Sequence, residues 1–195
     1  MTATLQPFGL QPTYSPQGMA SAPGIVAGIA SGYNTNILKY QPVALNASGN
    51  LVIATAGSDN DIIGSFAGVS WVDTQGVLHS SNQWVAGTVS TIGASPFYAW
   101  VWNDPNQVFR IQSDSAIATP SIGGQIDLSN ITAGSTTTGL SACTAAGSGL
   151  VTSGSAAQLR IVALDPAIGN AWTDAFPIVQ VQIAQHQYIA DKNAV

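Results

Sequence analysis

Charged residues are scarce in this chain of 195 residues, at only 7% of the sequence, against roughly 25% in an ordinary soluble domain. The basic residues are Lys39, Arg110, Arg160 and Lys192, and the formal net charge is -5. Without a basic cluster, the chain lacks a surface that could neutralise phosphates. We therefore expect no direct binding to nucleic acid and no polybasic membrane anchor.

Glutamate is absent, and all nine acidic residues are Asp. Exposed helix positions are normally filled by Glu, Lys, Arg and Gln, whereas Asp is typical of turns and caps. The composition therefore predicts a surface of strands and loops. Because 46% of the residues are hydrophobic, the chain has enough apolar material for a core and does not match a disordered polymer.

Few charges are available to oppose association, while amides, hydroxyls and aromatic rings suit subunit contacts. The composition therefore predicts a homo-oligomer, with a trimer favoured over a dimer.

Long apolar runs and multiple cysteines are also missing. The single cysteine, Cys143, excludes an intramolecular disulfide and a metal site built from several cysteines, so a small buried residue is favoured over a reactive thiol. No basic segment followed by an apolar run opens the sequence, and no stretch approaches about 18 apolar residues. We expect a product that stays in the cytoplasm where it is made.

No pattern in the sequence indicates catalysis. His79 and His186 lie in no metal-ligand spacing and are accompanied by no G-x-S-x-G elbow. Asp59 and Asp61 lack the further ligands of a calcium loop and favour a β-turn. Gly64 and Gly68 form no phosphate-binding pattern. We expect no catalytic residue, no cofactor and no metal, and hence a protein that is not an enzyme.

Aromatic residues offer one alternative class. A set of tryptophans could form the sugar-stacking platform of a carbohydrate-binding module, although packing in a core or interface is commoner. In the run 98–102, Tyr98, Trp100 and Trp102 share one face of a strand, opposite Ala99 and Val101. The tryptophans are Trp71, Trp84, Trp100, Trp102 and Trp172.

The first 24 residues are rich in proline and glycine, which predicts an extended N-terminal arm outside the β-ladders. Leu5, Phe8, Leu10 and Tyr14 are apolar anchors in this arm. Such anchors would let the arm bind along another subunit. The alternative is a strap over the protein's own core.

From residue 25 to 195 the chain reads as a β domain of short β-branched or aromatic runs separated by turn residues. The predicted fold is all-β, an antiparallel β-sandwich or a jelly-roll-like β-barrel. Residues 133–157 are almost entirely Gly, Ser, Thr and Ala and predict a long flexible or interface loop. Only the tail 184–195 could be helical. Predicted strands cover 51–55, 62–72, 84–92, 97–102, 107–112, 159–164 and 178–183.

Several segments resemble a group of tailed-phage capsid cement, or decoration, proteins. They are PFGLQPTYSPQG (7–18), IIGSFAGVSWVDTQG (62–76), WVAGT (84–88) and YAWVWNDPNQVFRIQ (98–112), in the order typical of that group. With 159–166 and 178–183, the likeness spans most of the chain outside 133–157. Many relatives carry Arg or His in the opening motif, where this chain has Gln11 and Tyr14.

The resemblance implies a structural virion protein on the outside of a phage capsid, made in the bacterial cytoplasm. It implies self-association and binding to the major capsid protein across the seams between capsomers. Leu5, Phe8, Leu10 and Tyr14 are the expected contact residues. The alternatives are another virion β protein, such as a head fibre, tail or baseplate component, and a carbohydrate-binding module.

Overall fold

The structure is a computed structural model that describes residues 4–18, 21–57, 61–90, 98–117, 121–152 and 156–190. Within these ranges the chain forms short β-strands and a single 3-10 turn at Gly147–Gly149, and no described residue lies in an α-helix. The strands are β1 (Gln11–Tyr14), β2 (Gly24–Ala27), β3 (Pro42–Leu45), β4 (Leu51–Ile53), β5 (Gly64–Val72), β6 (Leu78–Ser81), β7 (Tyr98–Trp102), β8 (Val108–Gln112), β9 (Gln125–Ile126), β10 (Leu128–Ser129), β11 (Gly134–Ser135), β12 (Leu140–Ser141), β13 (Thr144–Ala145), β14 (Leu159–Leu164) and β15 (Ile178–Ile183).

The first sheet contains five strands in the order β1-β8-β15-β14-β9. Its pairings are antiparallel, with Ile178 opposite Gln112 and Leu159 opposite Ile183. Val179 and Val181 are fully buried, whereas Gln180 and Gln182 on the other face are half-buried. The predicted strands at 159–164 and 178–183 are therefore confirmed, and the second shows the two-residue alternation of buried and half-buried side chains.

The second sheet contains β2-β7-β5-β3-β4 in that order, and β6 pairs with the far half of β5. β5 is long enough to pair with β3 through Gly64 and Ser65 and with β6 from Val69 onward. β10 with β13 and β11 with β12 form separate two-stranded ribbons.

The two sheets pack face to face, which makes the fold the predicted sandwich rather than the barrel. One core cluster joins Phe109 and Val181 of the first sheet to Ala44 and Trp102 of the second. The other face of the second sheet carries a second cluster, in which Phe66 and Val101 pack with Trp84. Because neighbouring residues of a strand point to opposite faces, Val101 and Trp102 belong to different clusters.

Residues 4–18 form a strap that packs on the protein's own core. The prediction that residues 1–24 stay outside the ladders is therefore wrong for its described part. Gln11–Tyr14 pair with β8, and β2 begins at Gly24. Proline is compatible with this arrangement because β1 is an edge strand, and Pro12 lies opposite Phe109 at a register shift. At Gly9 (φ +79°), a Cβ would lie 2.5 Å from the Tyr40 carbonyl oxygen, so only glycine lets the strap pass.

The segment 133–157 is structured in its described part, so the prediction of a long loop is wrong there, while 153–155 lie outside the described residues. It contributes β11, β12, β13 and the 3-10 turn, and it buries Cys143, Thr144 and Ala145. Small side chains serve close approach: a Cβ on Gly134 would collide with the Leu38 side chain. A stretch whose composition resembles that of a linker is therefore packed into the body of the domain.

Buried glutamines hold many of these connections. A carboxamide presents the same donor and acceptor as a peptide group, so it can complete a ladder where no strand is available. The Gln112 side chain accepts from the N–H of Gln6 at 2.8 Å and donates to the Thr4 carbonyl at 3.0 Å. Gln158 accepts from Gly57 and Leu128 and donates to the Thr55 carbonyl. These amides lie inside the fold, not at the subunit contacts expected from composition.

Other predicted elements are partly confirmed. β4, β5, β7 and β8 lie within the predicted runs 51–55, 62–72, 97–102 and 107–112. The predicted strand 84–92 is wrong over 84–90, where only Trp84 makes an isolated bridge, to Ile37, and 91–92 lie outside the described residues. The possible helix at 184–195 is not formed over 184–190.

Candidate functional site

The structure divides the predicted contact residues into two kinds. Leu10 is fully buried in the first core cluster, and its N–H donates to the Tyr40 carbonyl at 2.8 Å. Phe8 is half-buried beneath the Arg110 guanidinium, which lies 5.1 Å from the ring centroid. Leu10 is therefore a core residue, and the prediction that it contacts a partner is wrong.

Leu5 and Tyr14 remain available at the surface, with 42% and 47% of their areas exposed. Both lie on the strap, whose backbone is fixed by β1 pairing and by the Gln112 amide. The strap therefore presents two apolar side chains from an ordered backbone. Arg110 donates from Nε to Gln11 at 2.8 Å and fixes the strap from the side.

A second exposed surface lies on the second sheet, on the face that meets the first sheet. Cross-strand partners share a face, so one row contains Tyr98, Ser70 and Ser80, and the next contains Ile25 and Trp100. Leu78 follows two residues from Ser80. We call Ile25, Leu78, Ser80, Tyr98 and Trp100 the open half of this face, and Ala44, Ser65 and Trp102 its covered half.

The open half is apolar and accessible. Leu78 is 69% exposed, Ile25 61% and Tyr98 47%, whereas Ala99 and Val101 on the reverse face are fully buried. The predicted facing of Tyr98–Trp102 is therefore confirmed. Trp102, at the other end of the same row of aromatics, is half-buried, packs on the first core cluster and stacks with Tyr40 at 5.7 Å.

β6 forms an uncovered edge beside the open half. The backbone carbonyl of Asp73 accepts from the Gly76 N–H, and the Asp73 N–H donates to the Val77 carbonyl. This is the pattern of a type I turn with a glycine bulge. This geometry directs the backbone of His79 and Ser81 toward β5, and that of Leu78 and Ser80 outward. In the described part of the chain, the outward N–H and C=O groups of Leu78 and Ser80 have no hydrogen-bond partner.

Some other edges of the sandwich, those of β3, β4 and β9, are closed by the chain itself. The Leu51 N–H of β4 donates to Gly28, and the Ile53 N–H donates to the Tyr33 hydroxyl. The Gln187 amide makes two hydrogen bonds with the backbone of Leu45, at 2.7 and 3.0 Å. β9 is met by Val151 in an isolated bridge. β6 differs from these edges because no described group bonds to its outward backbone.

Sequence reasoning missed this edge because 79–83 reads as a polar stretch. The signal was present in the turn DTQG (73–76), followed by Leu78 and Ser80 alternating with His79 and Ser81. A hairpin was therefore predictable, but not the fact that its outer edge remains uncovered.

His79 belongs to a small polar cluster on the reverse face. Its Nε2 lies 2.7 Å from the Asp73 carboxylate, and its ring stacks on Trp71 with centroids 5.3 Å apart. The hydrogen bond with His79, followed by that from the Val77 N–H, lowers the pKa of Asp73 below its ordinary 3.8. Ser70 and Ser80 point to the opposite face, so the pair is not extended to them as a catalytic triad.

His186 is fully buried, although a histidine without a ligand or catalytic pattern is expected at a polar surface or interface. Its backbone bridges Ile62, and its Nδ1 accepts from the Tyr188 N–H at 3.1 Å. The ring therefore helps to hold the C-terminal segment against the core.

Aspartate carboxylates serve mainly as local braces, which agrees with their predicted turn role. Asp104 accepts from the N–H of Asn106, Asp165 from that of Ala167 and Asp174 from that of Ala171. Asp114 and Asp127 accept from the backbone of Gly147 and Gln158. Asp59 lies outside the described residues.

Cys143 is fully buried, and burial raises the pKa of its thiol to about 12. Such a thiol is a poor nucleophile at neutral pH. Across the described parts of the chain, no three His, Cys or Asp side chains gather in a group that could hold a metal ion. Over the same residues, no helix has the length and hydropathy needed to cross a membrane.

An open cleft of about 300 Å³ lies beside β3 and β4. Polar atoms supply most of its accessible lining, and the Gln187 amide is occupied by Leu45. Its lining is Ala44, Leu45, Val52, Ile53, Thr55, Asp61 and Gln187. This donor set indicates no particular ligand.

Comparison of the chain with models of protein families, with curated proteins and with solved structures finds no match.

Proposed function

We propose that this protein is a non-enzymatic structural component of a phage virion, which binds the outer surface of the capsid and stabilises contacts between major capsid protein subunits. The observation that carries the proposal is the ordered strap, which exposes Leu5 and Tyr14 on a protein with few charges. Uncharged surfaces of this kind suit burial against another protein. The carboxylates that brace turns support an architectural role.

The strap is suited to repeated binding because its backbone is already ordered. Its pairing with β8 and its bonds to Gln112 mean that little backbone entropy remains to be lost on docking. A modest contact repeated over many capsomer seams gains avidity. Attachment would then resist the pressure of packaged DNA by holding neighbouring capsomers together.

Cosedimentation with expanded capsids that lack this protein tests the proposal. The native protein is expected to pellet with capsids to saturation. Leu5→Ser with Tyr14→Ser should weaken binding about thirtyfold, since each half-exposed side chain contributes on the order of 1 kcal/mol when fully covered. The control is Val89→Ser with Ile168→Ser, which removes two exposed apolar side chains that do not belong to the strap. Native protein that stays in the supernatant at every concentration contradicts the proposal.

The runner-up is a carbohydrate-binding module, favoured by one observation. The exposed Tyr98 ring lies in a row with Ser80, whose exposed hydroxyl bonds the buried Ser70 hydroxyl, and this combination of a ring and a hydroxyl can stack on a sugar and bond to it. Binding of the isolated protein to a glycan array, lost on Tyr98→Ala, would favour this function. A tail or baseplate component would instead cosediment with tails.

A further inference from the structure

The outer edge of β6 is the feature that the proposed function leaves without a role. Exposed edges are templates for pairing, and proteins commonly guard them with charges, proline, bulges or a covering segment. β6 contains none of these guards, since its residues are Leu78, His79, Ser80 and Ser81 and its outward backbone groups are unpaired in the described chain.

We infer that β6 pairs antiparallel with β6 of a second copy of this chain, which joins the second sheets of two molecules into one continuous sheet. The inference goes beyond capsid binding and does not depend on it. The strap surface and the β6 edge are separate parts of the protein, so each can be tested alone.

The geometry gives a definite register. A two-fold axis at His79 places Leu78 opposite Ser80 of the second copy, and the outward N–H and C=O groups of both residues close hydrogen bonds with each other. His79 then faces His79 of the second copy in a non-hydrogen-bonded pair. Leu78 and Ser80 share the open half, so the open halves of the two molecules become neighbours.

Charge favours a second copy as the occupant. No Asp, Lys or Arg occurs anywhere from Thr74 to Asn103, a stretch that supplies β6 and β7. The neighbouring carboxylate, Asp73, already accepts from the Gln75 and Val77 N–H groups and bonds to His79. The edge itself is neutral and is complementary to a second neutral edge. An isologous contact through one strand closes as a two-fold dimer. This differs from the trimer that composition favoured.

Sedimentation velocity of native protein and two lysine variants tests the inference. Native protein is expected at twice the 19.9 kDa chain mass. Leu78→Lys, which places a guarding charge on the edge, should raise the dimer dissociation constant at least about tenfold. Ile168→Lys changes a fully exposed side chain in a turn and should keep the doubled mass. Circular dichroism establishes that all three are folded.

Cross-linking tests the register. His79→Cys should form an intermolecular disulfide, because facing Cα atoms in such a pair lie about 4.5 Å apart, within disulfide range. Ile168→Cys is the control that should not cross-link. Cys143 does not interfere because it is buried.

Monomeric native protein at micromolar concentration overturns the inference, as does a doubled mass that survives Leu78→Lys or disappears in Ile168→Lys. A native monomer that binds capsids and loses binding on Leu78→Lys also overturns it, in favour of a strand from another protein. Dimers that depend on the β6 edge but do not bind to capsids would contradict only the proposed function.

Discussion

The covered and open halves of one sheet face differ in what completes them. On the covered half, Ser65 donates to the Leu10 carbonyl at 2.6 Å, and Trp102 packs on the first core cluster. On the open half, nothing in the described chain lies over Leu78 or Ile25, which are 69% and 61% exposed. The same strands therefore contribute to folding at one end and remain available at the other.

The difference extends to the backbone. Near the covered half, the side-chain amide of Gln187 completes the backbone bonding of Leu45. At the open half, no described residue pairs with the outward groups of Leu78 and Ser80. A side-chain amide therefore completes the backbone bonding beside the covered half, whereas no described group does so along the outer edge of β6.

The largest expected effect separates two leucines of one strap. Leu10→Ala should lower the free energy of unfolding by about 2–5 kcal/mol, because it leaves a cavity in a packed core. Leu5→Ala, the matched control, should change it by less than about 0.5 kcal/mol. Urea unfolding measures both. A loss of stability for Leu10→Ala as small as that for Leu5→Ala would mean that the strap is not part of the core.

A buried amide should come next. Gln158→Leu keeps the volume but leaves the backbone groups of Gly57, Leu128 and Thr55 without their carboxamide partner. Each buried polar group left unpaired costs about 1–3 kcal/mol, so a loss of at least about 2 kcal/mol is expected. The same substitution at Gln180, a half-buried position on β15, is the control. A neutral Gln158→Leu would refute the amide's role as a ladder substitute.

The Asp73–His79 pair should have a small, pH-dependent effect. The pKa of Asp73 is lowered in the folded protein, so its contribution is present above the ordinary 3.8 and disappears as pH falls through the lower folded value. Asp73→Asn should therefore melt below the native protein at neutral pH, and the two melting temperatures should converge in acid. A difference that stays constant down to the lowest pH at which both fold would contradict this assignment.

The smallest effect on folding is expected in the open half. Tyr98→Ser should change the free energy of unfolding by no more than about 0.5 kcal/mol, because this ring is 47% exposed. Its control is Val101→Ala on the reverse face of the same strand, which removes buried methyl groups and should cost more. Comparable losses for the two variants would mean that the open half is covered in the folded chain.

The sequence predicted those strands and side-chain orientations that short-range residue patterns determine. The apolar run at 159–164 predicted β14, alternation predicted β15, and the facing of Tyr98 and Trp102 followed from the two-residue period. Prediction failed where hydrogen bonds between residues far apart in the sequence determine the structure. Gln112 bonds to Thr4 across 108 positions and Gln187 to Leu45 across 142, so no local window shows that these amides close the fold. The strap, rich in proline, looked independent for the same reason.

The candidate surfaces were predictable only in part. Leu5 and Tyr14 were identified as apolar anchors, but their separation from the buried Leu10 depends on the tight passage of Gly9 past Tyr40. The β6 edge required the three-dimensional pairing of β5, which meets β3 with one half and β6 with the other.

The most direct test of the central claim is a density map of expanded phage capsids to which the purified protein has been added. We expect added density at the seams between capsomers, with the strap residues Leu5 and Tyr14 turned toward the shell. Capsids that show no added density at saturating protein would contradict the claim that this chain binds and stabilises the capsid exterior.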